Sequence, residues 1–356
     1  MRQIPFGAAS LLVCACMACG ESSGGDEKPS SGGSTASGGA PAGGSTSSGG
    51  APSGGGSGGG GGSAGSATGG APSGGAAGSG GGACPTFAGG VKTGNVAFAG
   101  VTEASGIVES RKNAGVFWLH NDSGDGPKLY AMTKDGTHLG VFTLDGATAQ
   151  DWEDLAVGPG PSAGESYLYA GDIGDNAEAR ASIRIYRVAE PVVSAAGPAA
   201  DKTLTAVETF TFTYPDKAHN SESLMVDPKT SDLFLVTKAS SGVSPVFRAA
   251  APLSSGVLEQ VGSLSFGAGP LAGGTLTTAS DISPSGDAVL IRTYSSAFLW
   301  RRGGATTVAQ ALAGEPCKVP HQSEPQGEAI GFAADGTGYY TVSEGANQPL
   351  YFFAKQ

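Results

Sequence analysis

Basic residues are scarce in this sequence, and their scarcity excludes one class of partner. The 356 residues include 20 lysines and arginines against 31 aspartates and glutamates, which gives a formal net charge of −11 at pH 7. The phosphate backbone of nucleic acid is bound chiefly by clustered Lys and Arg side chains. We therefore expect no nucleic-acid partner for this acidic chain.

Paired histidines and the common catalytic fingerprints are missing as well. The four histidines form no paired motif with metal-ligand spacing. The sequence has no GxSxG elbow, no P-loop and no dinucleotide-binding glycine motif. Helical periodicity is weak. These absences argue against the common serine hydrolases, nucleotide-binding folds and histidine metal centres.

Long apolar runs are absent except at the amino terminus. Arg2 supplies positive charge, residues 6–18 are apolar or small, and polarity returns after Cys19. The run is too short to span a bilayer and predicts a cleaved export signal over residues 1–18. Its end resembles the lipobox of bacterial lipoproteins, which implies lipidation of Cys19, with Cys16 as the competing site. We expect a lipid anchor in the outer membrane, facing either side, because Gly20 rather than Asp follows Cys19.

Residues 19–83 consist almost wholly of Gly, Ser, Ala, Thr and Pro. Such a segment has too few apolar side chains to offset the entropy cost of ordering, so we predict a flexible tether. The folded part, residues 84–356, contains only two cysteines, Cys84 and Cys317. They have neither the number nor the spacing of a structural zinc site. Because two cysteines of an exported domain usually pair, we predict a disulfide between them.

Five segments of the folded part share one pattern. Polar or acidic residues precede an aliphatic residue, and two further strand-like runs follow, rich in β-branched and aromatic residues and bounded by Gly, Asp and Ser. A fourth run is visible in most of the modules. The leading segments are EASGIVES at 103, DWEDLAVG at 151, NSESLMVD at 220, TASDISPSG at 278 and QGEAIGFA at 326.

Three- or four-stranded modules in series predict an all-β fold, a β-propeller. Five modules predict five blades, and six stays open because the interval from Glu153 to Glu222 is long enough to hold a degenerate blade. The last module shows only three strands, so we expect an N-terminal strand, NVAFAG at 95–100, to close the ring. A pair of β-sandwiches would not explain five matched modules. We expect a monomer.

The propeller geometry brings the acidic residues of the modules together. The innermost strand of a blade begins at the face where the second strand ends, so residues at these two points meet at one mouth of the central channel. Our candidates for ligand binding at this mouth are Asp151, Glu153, Asp154, Glu222, Lys238, Arg292, Tyr294 and Glu328. Our candidates for metal ligands are Asp122, Asp125, Asp172, Asp175 and Glu344.

Carboxylates at close quarters must be neutralised by protons, basic partners or cations. Oxygen ligands suit calcium, and the glycines in NDSGD and GDIGDN permit tight ligand loops, so we expect a divalent cation, calcium. The alternative is that these residues are solvated surface or form the turns between strands. The same alignment counts Asp281 among the mouth carboxylates and makes Trp152 a candidate for lining the mouth.

Several of these segments resemble a widespread family of exported bacterial propeller proteins, some of them labelled phytase-like esterases. The matching segments are ASGIVES, NDSGDGPKLYAM, GATAQDWEDLAVGPG, YLYAGDIGDN, IRIYRV and PQGEAIGF. The resemblance covers roughly residues 95–356 and implies a propeller and export. β-Propeller phytases bind calcium in an acidic mouth and hydrolyse phosphate esters, but this chain lacks a clear match to their full motifs.

Three functions stay open. The first is non-catalytic binding of a small molecule, glycan or peptide at the acidic mouth, which we favour. The second is a calcium-dependent phosphoesterase with Lys238 and Arg292 near the phosphate, and the scarcity of basic residues weighs against it. The third is a glycoside hydrolase that uses Glu153, Glu222 and Glu328, and the shortage of aromatic platforms weighs against it.

Overall fold

The protein is described by a computed structural model over residues 83–267 and 274–356. These residues form five sheets in a ring, which is a five-bladed β-propeller, as predicted. The signal peptide at 1–18 and the tether up to residue 82 lie outside the described residues. Within the described ranges, no helix has the length and apolar character needed to cross a membrane.

Each blade runs in chain order from the channel outward, and the first strand, β1 (Val91–Asn95), belongs to the last blade. Blade 1 contains β2 (Ala104–Glu109), β3 (Val116–Asn121), β4 (Lys128–Thr133) and β5 (His138–Leu144). Blade 2 contains β6 (Trp152–Pro159), β7 (Ser166–Asp172), β8 (Ile183–Ala189) and, after β9 (Lys202–Leu204), β10 (Glu208–Thr213). Blade 3 contains β11 (Ser221–Val226), β12 (Leu233–Thr237), β13 (Val243–Ala249) and, after β14 (Gly256–Val257), β15 (Glu259–Ser265).

Blade 4 contains β16 (Thr277–Ile282), β17 (Ala288–Thr293), β18 (Ser296–Arg301) and, after the short helix α1 (Val308–Leu312), β19 (Cys317–Val319). Blade 5 contains β20 (Gly327–Phe332), β21 (Gly338–Ser343), β22 (Pro349–Ala354) and β1. The innermost strands β2, β6, β11, β16 and β20 surround the channel. We name the end of the channel where they begin the upper mouth, and the end where they finish the lower mouth.

Hydrophobic packing between neighbouring blades holds the ring together. A single blade is apolar on both faces. The innermost strand of each blade is buried along almost its whole length. Five buried clusters result, and each is shared by two adjacent blades. One of them joins Trp118 of blade 1 to Trp152 of blade 2, and another joins blade 5 back to blade 1. In the described residues, the closed ring therefore gives each blade a neighbour on both faces.

The strand that closes the ring lies earlier than predicted. β1 pairs antiparallel with β22, from Val91 beside Phe352 to Asn95 beside Pro349. The predicted strand at 95–100 was wrong apart from its first residue. Its apolar residues serve another purpose, because Val96 is buried in the cluster between blades 5 and 1 and Phe98 packs against it.

The chain segment from Glu153 to Glu222 contains no sixth blade. After β8 the chain crosses to blade 1, where β9 adds a parallel strand beside β5, and it returns to form β10. This excursion accounts for the extra length. The predicted disulfide is confirmed: Cys84 is bonded to Cys317, with a Cα–Cα distance of 5.7 Å, and it fastens the N-terminal segment to β19 of blade 4.

Candidate cation site

The acidic segments of different modules do meet at the upper mouth. Residues that follow the second strand of a blade donate backbone hydrogen bonds to residues that precede the first strand. These bonds run from Asp122 N to Glu103 O (2.8 Å), from Gly174 N to Asp151 O (3.1 Å), from Lys238 N to Asn220 O (2.8 Å) and from Glu344 N to Gln326 O (2.9 Å). The same short rim is thus built in at least four blades.

A β-bulge directs the glutamates of three blades to one point. In the pairing of β6 with β7 the register shifts between Trp152 and Asp154, which leaves Glu153 as the extra residue. The same shift in blades 3 and 5 leaves out Glu222 and Glu328. Bulges re-aim side chains and are common beside functional sites. Here they bring one carboxylate oxygen from each of the three glutamates within 4.8 Å of the others.

Blade 4 breaks the pattern, and the sequence alignment of this blade was wrong. Its bulge falls between Thr277 and Ala279, so Thr278 holds the position that is glutamate in blades 2, 3 and 5. Asp281 lies three residues deeper, where it accepts hydrogen bonds from the backbone N–H groups of Ile282 (2.8 Å) and Phe332 (2.7 Å). The alignment failed because Ile282 looked like the leading aliphatic residue, a position that Ser280 occupies.

One side of the upper mouth contains its own positive charge. Lys238 Nζ lies 3.0 Å from Glu222 Oε1 and donates to Tyr294 Oη at 2.8 Å. Tyr294 donates in turn to Glu328 Oε1 at 2.7 Å. The two neighbouring carboxylates raise the pKa of Lys238 although burial opposes them, so the ammonium group stays charged. We call Glu222, Lys238, Tyr294 and Glu328 the supported side.

The other side consists of Asp122, Asp151 and Glu153, and we call it the open side. One carboxylate oxygen from each residue lies within 4.8 Å of the other two. Burial, followed by repulsion from Asp151 and Glu222, raises the pKa of Asp122 to about 7. Burial and then repulsion from Glu222 raise the pKa of Glu153 well above its ordinary range. No lysine or arginine forms an ion pair with these three residues in the part of the chain that the structure describes.

Glu153 belongs to both groups of three carboxylates, and it lies beside an oxygen of Glu222 that accepts no hydrogen bond from the described residues. Glu222 Oε2 is buried and accepts no hydrogen bond from any described donor. Its neighbour is the Glu153 carboxyl group, which can donate only when it is protonated. Glu344 stands close by, and burial followed by repulsion from Glu328 raises its pKa to about 8. Either protons or a cation must therefore occupy the space between these carboxylates.

The loop of GDIGDN lies directly over the open side. A Cβ atom on Gly174 would lie 2.1 Å from Glu153 Oε1 and 2.5 Å from Asp151 Oδ2, so a side chain there would displace both carboxylates. Arg180, which the sequence did not single out, holds this loop. It pairs with Asp172 Oδ1 at 2.9 Å and donates to the Gly174 carbonyl at 2.7 Å. The signal for it was its place directly after the acidic loop.

Some of the predicted residues lie outside the two carboxylate groups. Asp125 accepts hydrogen bonds from Lys128, Tyr130, Asn121 and the Gly126 backbone, and these donors lower its pKa against the effect of burial. Asp175 accepts from the Arg180 backbone at 2.7 Å. Arg292 donates to the Ala329 carbonyl and pairs with Glu324, both at 2.9 Å. These side chains already have protein partners that stabilise loops and strand ends.

Asp154 performs a different task from its neighbour Glu153. Its Oδ2 accepts from the backbone N–H groups of Leu224 (2.8 Å) and Ser280 (3.1 Å), and its Oδ1 accepts from Leu155 (2.9 Å). It thus joins three innermost strands within the channel. Trp152 was wrongly predicted to line the mouth: it is 1 % exposed and packs edge-on against His120 in the core between blades 1 and 2.

Comparisons with known proteins add little to this geometry. No family model matches the chain, and no curated protein matches it. Among solved structures, the chain is similar to a glucose dehydrogenase, with 10 % identity and a TM-score of 0.42 over 75 % of this chain and 99 % of that one. It is also similar to a chain of a nidogen–laminin complex, with 10 % identity and a TM-score of 0.40 over 68 % of this chain and 73 % of that one.

Proposed function

We propose that this protein is an exported, lipid-anchored β-propeller that binds a ligand through a divalent cation at its upper mouth. The observation that carries the proposal is the sharing of Glu153 by two groups of three carboxylates, each within 4.8 Å, beside a buried Glu222 oxygen without a donor. A cation between them would replace repulsion with attraction on every side.

Calcium is the cation that these ligands suit best. All five side chains in the two groups offer carboxylate oxygens, and neither histidine nor cysteine takes part. Calcium accepts six to eight oxygen ligands in flexible geometry, whereas magnesium requires a near-ideal octahedron. Either group of three carboxylates would leave coordination positions for oxygen atoms of a glycan, a peptide or a small molecule. The ligand would thus complete the shell of the cation.

Thermal unfolding of the protein stripped with EDTA, with calcium, magnesium or manganese added back, tests the cation. Because the cation binds only the folded state, calcium at a hundredfold excess over its dissociation constant should add about 2.7 kcal/mol to the free energy of unfolding. Glu153→Gln should remove most of this gain, since Glu153 takes part in both groups.

The matched control is Glu259→Gln, which removes a carboxylate that is 63 % exposed and pairs with Arg248 in blade 3. It should keep the full calcium effect. The proposal fails if none of the three cations raises the melting temperature of the wild-type protein. Binding of immobilised glycans and peptides, compared in calcium and in EDTA, then identifies the ligand class.

The anchor is tested separately. Cys19→Ala should leave an uncleaved or mislocalised precursor, because a lipoprotein signal is processed at the lipidated cysteine. Cell fractionation and incorporation of labelled fatty acid measure this outcome. Normal processing of Cys19→Ala together with loss of lipid from Cys16→Ala would move the site to Cys16, and normal behaviour of both variants would contradict the anchor.

A further inference from the structure

The lower mouth has a repeated lining of its own. In three blades, a proline lies four positions after the leading residue of the innermost strand. Pro159 follows Leu155, Pro228 follows Leu224 and Pro284 follows Ser280. Blade 1 has Arg111 at this position. A cavity of about 390 Å³ lies among these four residues, with Val157 and Ile282 in its wall. Three prolines and one arginine thus line the opening, together with the polar side chains of Lys112, Glu165, Ser166 and Ser283.

Arg111 lines this cavity, and one of its donors is unused. Its Nη1 atom is buried and has no hydrogen-bond partner among the described residues. Burial raises the pKa of Glu109 and Asp281, Arg111 offsets part of this rise, and both carboxylates are engaged elsewhere. Glu109 accepts from Ala334 N at 2.8 Å, and Asp281 accepts from two backbone N–H groups. A donor without a partner destabilises the folded protein, and a bound acceptor would satisfy the guanidinium group.

We propose that the lower mouth is a second binding site, specific for a small organic carboxylate. The carboxylate would accept hydrogen bonds from Arg111, whose planar guanidinium matches carboxylate geometry, and the apolar part would lie against the prolines. The cavity volume is at the small end of the range of ligand sites. A phosphate dianion fits less well, because the neighbouring Lys112 is already paired with Glu165 at 3.0 Å. This proposal does not depend on the cation at the upper mouth.

Calorimetric titration of the full-length protein tests the site with simple probes. Butyrate and benzoate should bind, and their neutral amides, butyramide and benzamide, should bind at least tenfold more weakly because they lack the charge that Arg111 recognises. Arg111→Gln should weaken binding of the two acids at least tenfold. Lys112→Gln should change it less than threefold, since Lys112 is engaged with Glu165.

Several results would overturn the proposal. Equal affinity for acid and amide would exclude recognition of the carboxylate, and this comparison needs only the wild-type protein if Arg111→Gln does not fold. An equal loss in Lys112→Gln would replace a specific site with general positive charge. Binding of inorganic phosphate as tight as that of benzoate would assign the mouth to anions in general. Retained binding in a folded Arg111→Gln would place the ligand elsewhere.

Discussion

The two sides of the upper mouth neutralise their carboxylates in different ways. On the supported side, Glu222 and Glu328 share the ammonium group of Lys238 and the hydroxyl of Tyr294. On the open side, Asp122, Asp151 and Glu153 have no such partner among the described residues, and the pKa of each is raised. A cluster of carboxylates can bind a metal cation only where no lysine or arginine of the chain already neutralises it.

The largest effect should come from making the supported side resemble the open one. Lys238→Met removes the charge and keeps most of the volume, which leaves Glu222 and Glu328 buried without their cation. Loss of one member of a buried ion pair typically costs about 3–5 kcal/mol. We expect a loss of about 3 kcal/mol in urea unfolding with EDTA, and a larger stabilisation by calcium than in wild type because a second group of carboxylates becomes available.

The control for this comparison is Lys217→Met. Lys217 pairs with Glu178, but the two side chains are 60 % and 40 % exposed, so the loss should be below about 1 kcal/mol. Equal losses in the two variants would show that Lys238 contributes no more than a surface pair.

The next prediction distinguishes the roles of two adjacent residues of β6. Asp154→Asn places an amide where a carboxylate accepts three backbone hydrogen bonds, and the NH₂ group would meet an N–H donor. We expect a loss of about 2 kcal/mol in the free energy of unfolding. Glu153→Gln, one residue away, should be neutral or stabilising in EDTA because it relieves repulsion. Urea unfolding of both variants measures the contrast, and similar losses would contradict it.

A smaller effect should show which of the two sides holds the cation. Asp151→Asn should weaken calcium binding about tenfold, which corresponds to about 1.4 kcal/mol. Glu328→Gln should weaken it less than threefold, because Tyr294 already holds that carboxylate. Calorimetric titration of EDTA-stripped protein measures both affinities. A greater loss in Glu328→Gln would move the cation to the supported side.

The open side and its neighbour Glu344 should also give the stability a dependence on pH. The folded-state pKa values of Asp122, about 7, and Glu344, about 8, lie above the value of about 4 expected in the unfolded chain. The folded protein therefore binds more protons between these limits, and its free energy of unfolding should fall as pH rises from 5 to 8. Urea midpoints in EDTA measure this fall, which saturating calcium should reduce. Midpoints that rise over this range would refute it.

The propeller could be predicted from the sequence because the evidence for it is repeated and local. Each module carries polar residues before an aliphatic one and then strand-like runs, and each blade contributes the same elements. The disulfide followed from Cys84 and Cys317 being the only two cysteines of the folded part. The closing strand was misplaced because Val96 and Phe98 look like strand residues, although their apolar side chains pack between blades instead of pairing in a sheet.

The site could be predicted as a set of residues but not in its details. A bulge leaves no mark in the sequence, so nothing distinguished Glu153, which faces other carboxylates, from Asp154, which accepts backbone hydrogen bonds. For the same reason blade 4 was aligned to Asp281 and not to Thr278. Arg180 was missed because its role depends on a loop that folds back over Gly174.

The first residues that the structure describes are attached to the domain at one end of the channel. Arg301, at the end of β18, donates to the Ala83 carbonyl, and Phe87 pairs with Lys355, just after the end of β22. Both contacts lie at the level of the lower mouth, and from there β1 runs towards the upper one. Residues 83–90 therefore lie at the end of the domain opposite the acidic rim. These residues do not cover the upper mouth, so a ligand can approach the acidic rim without displacing them.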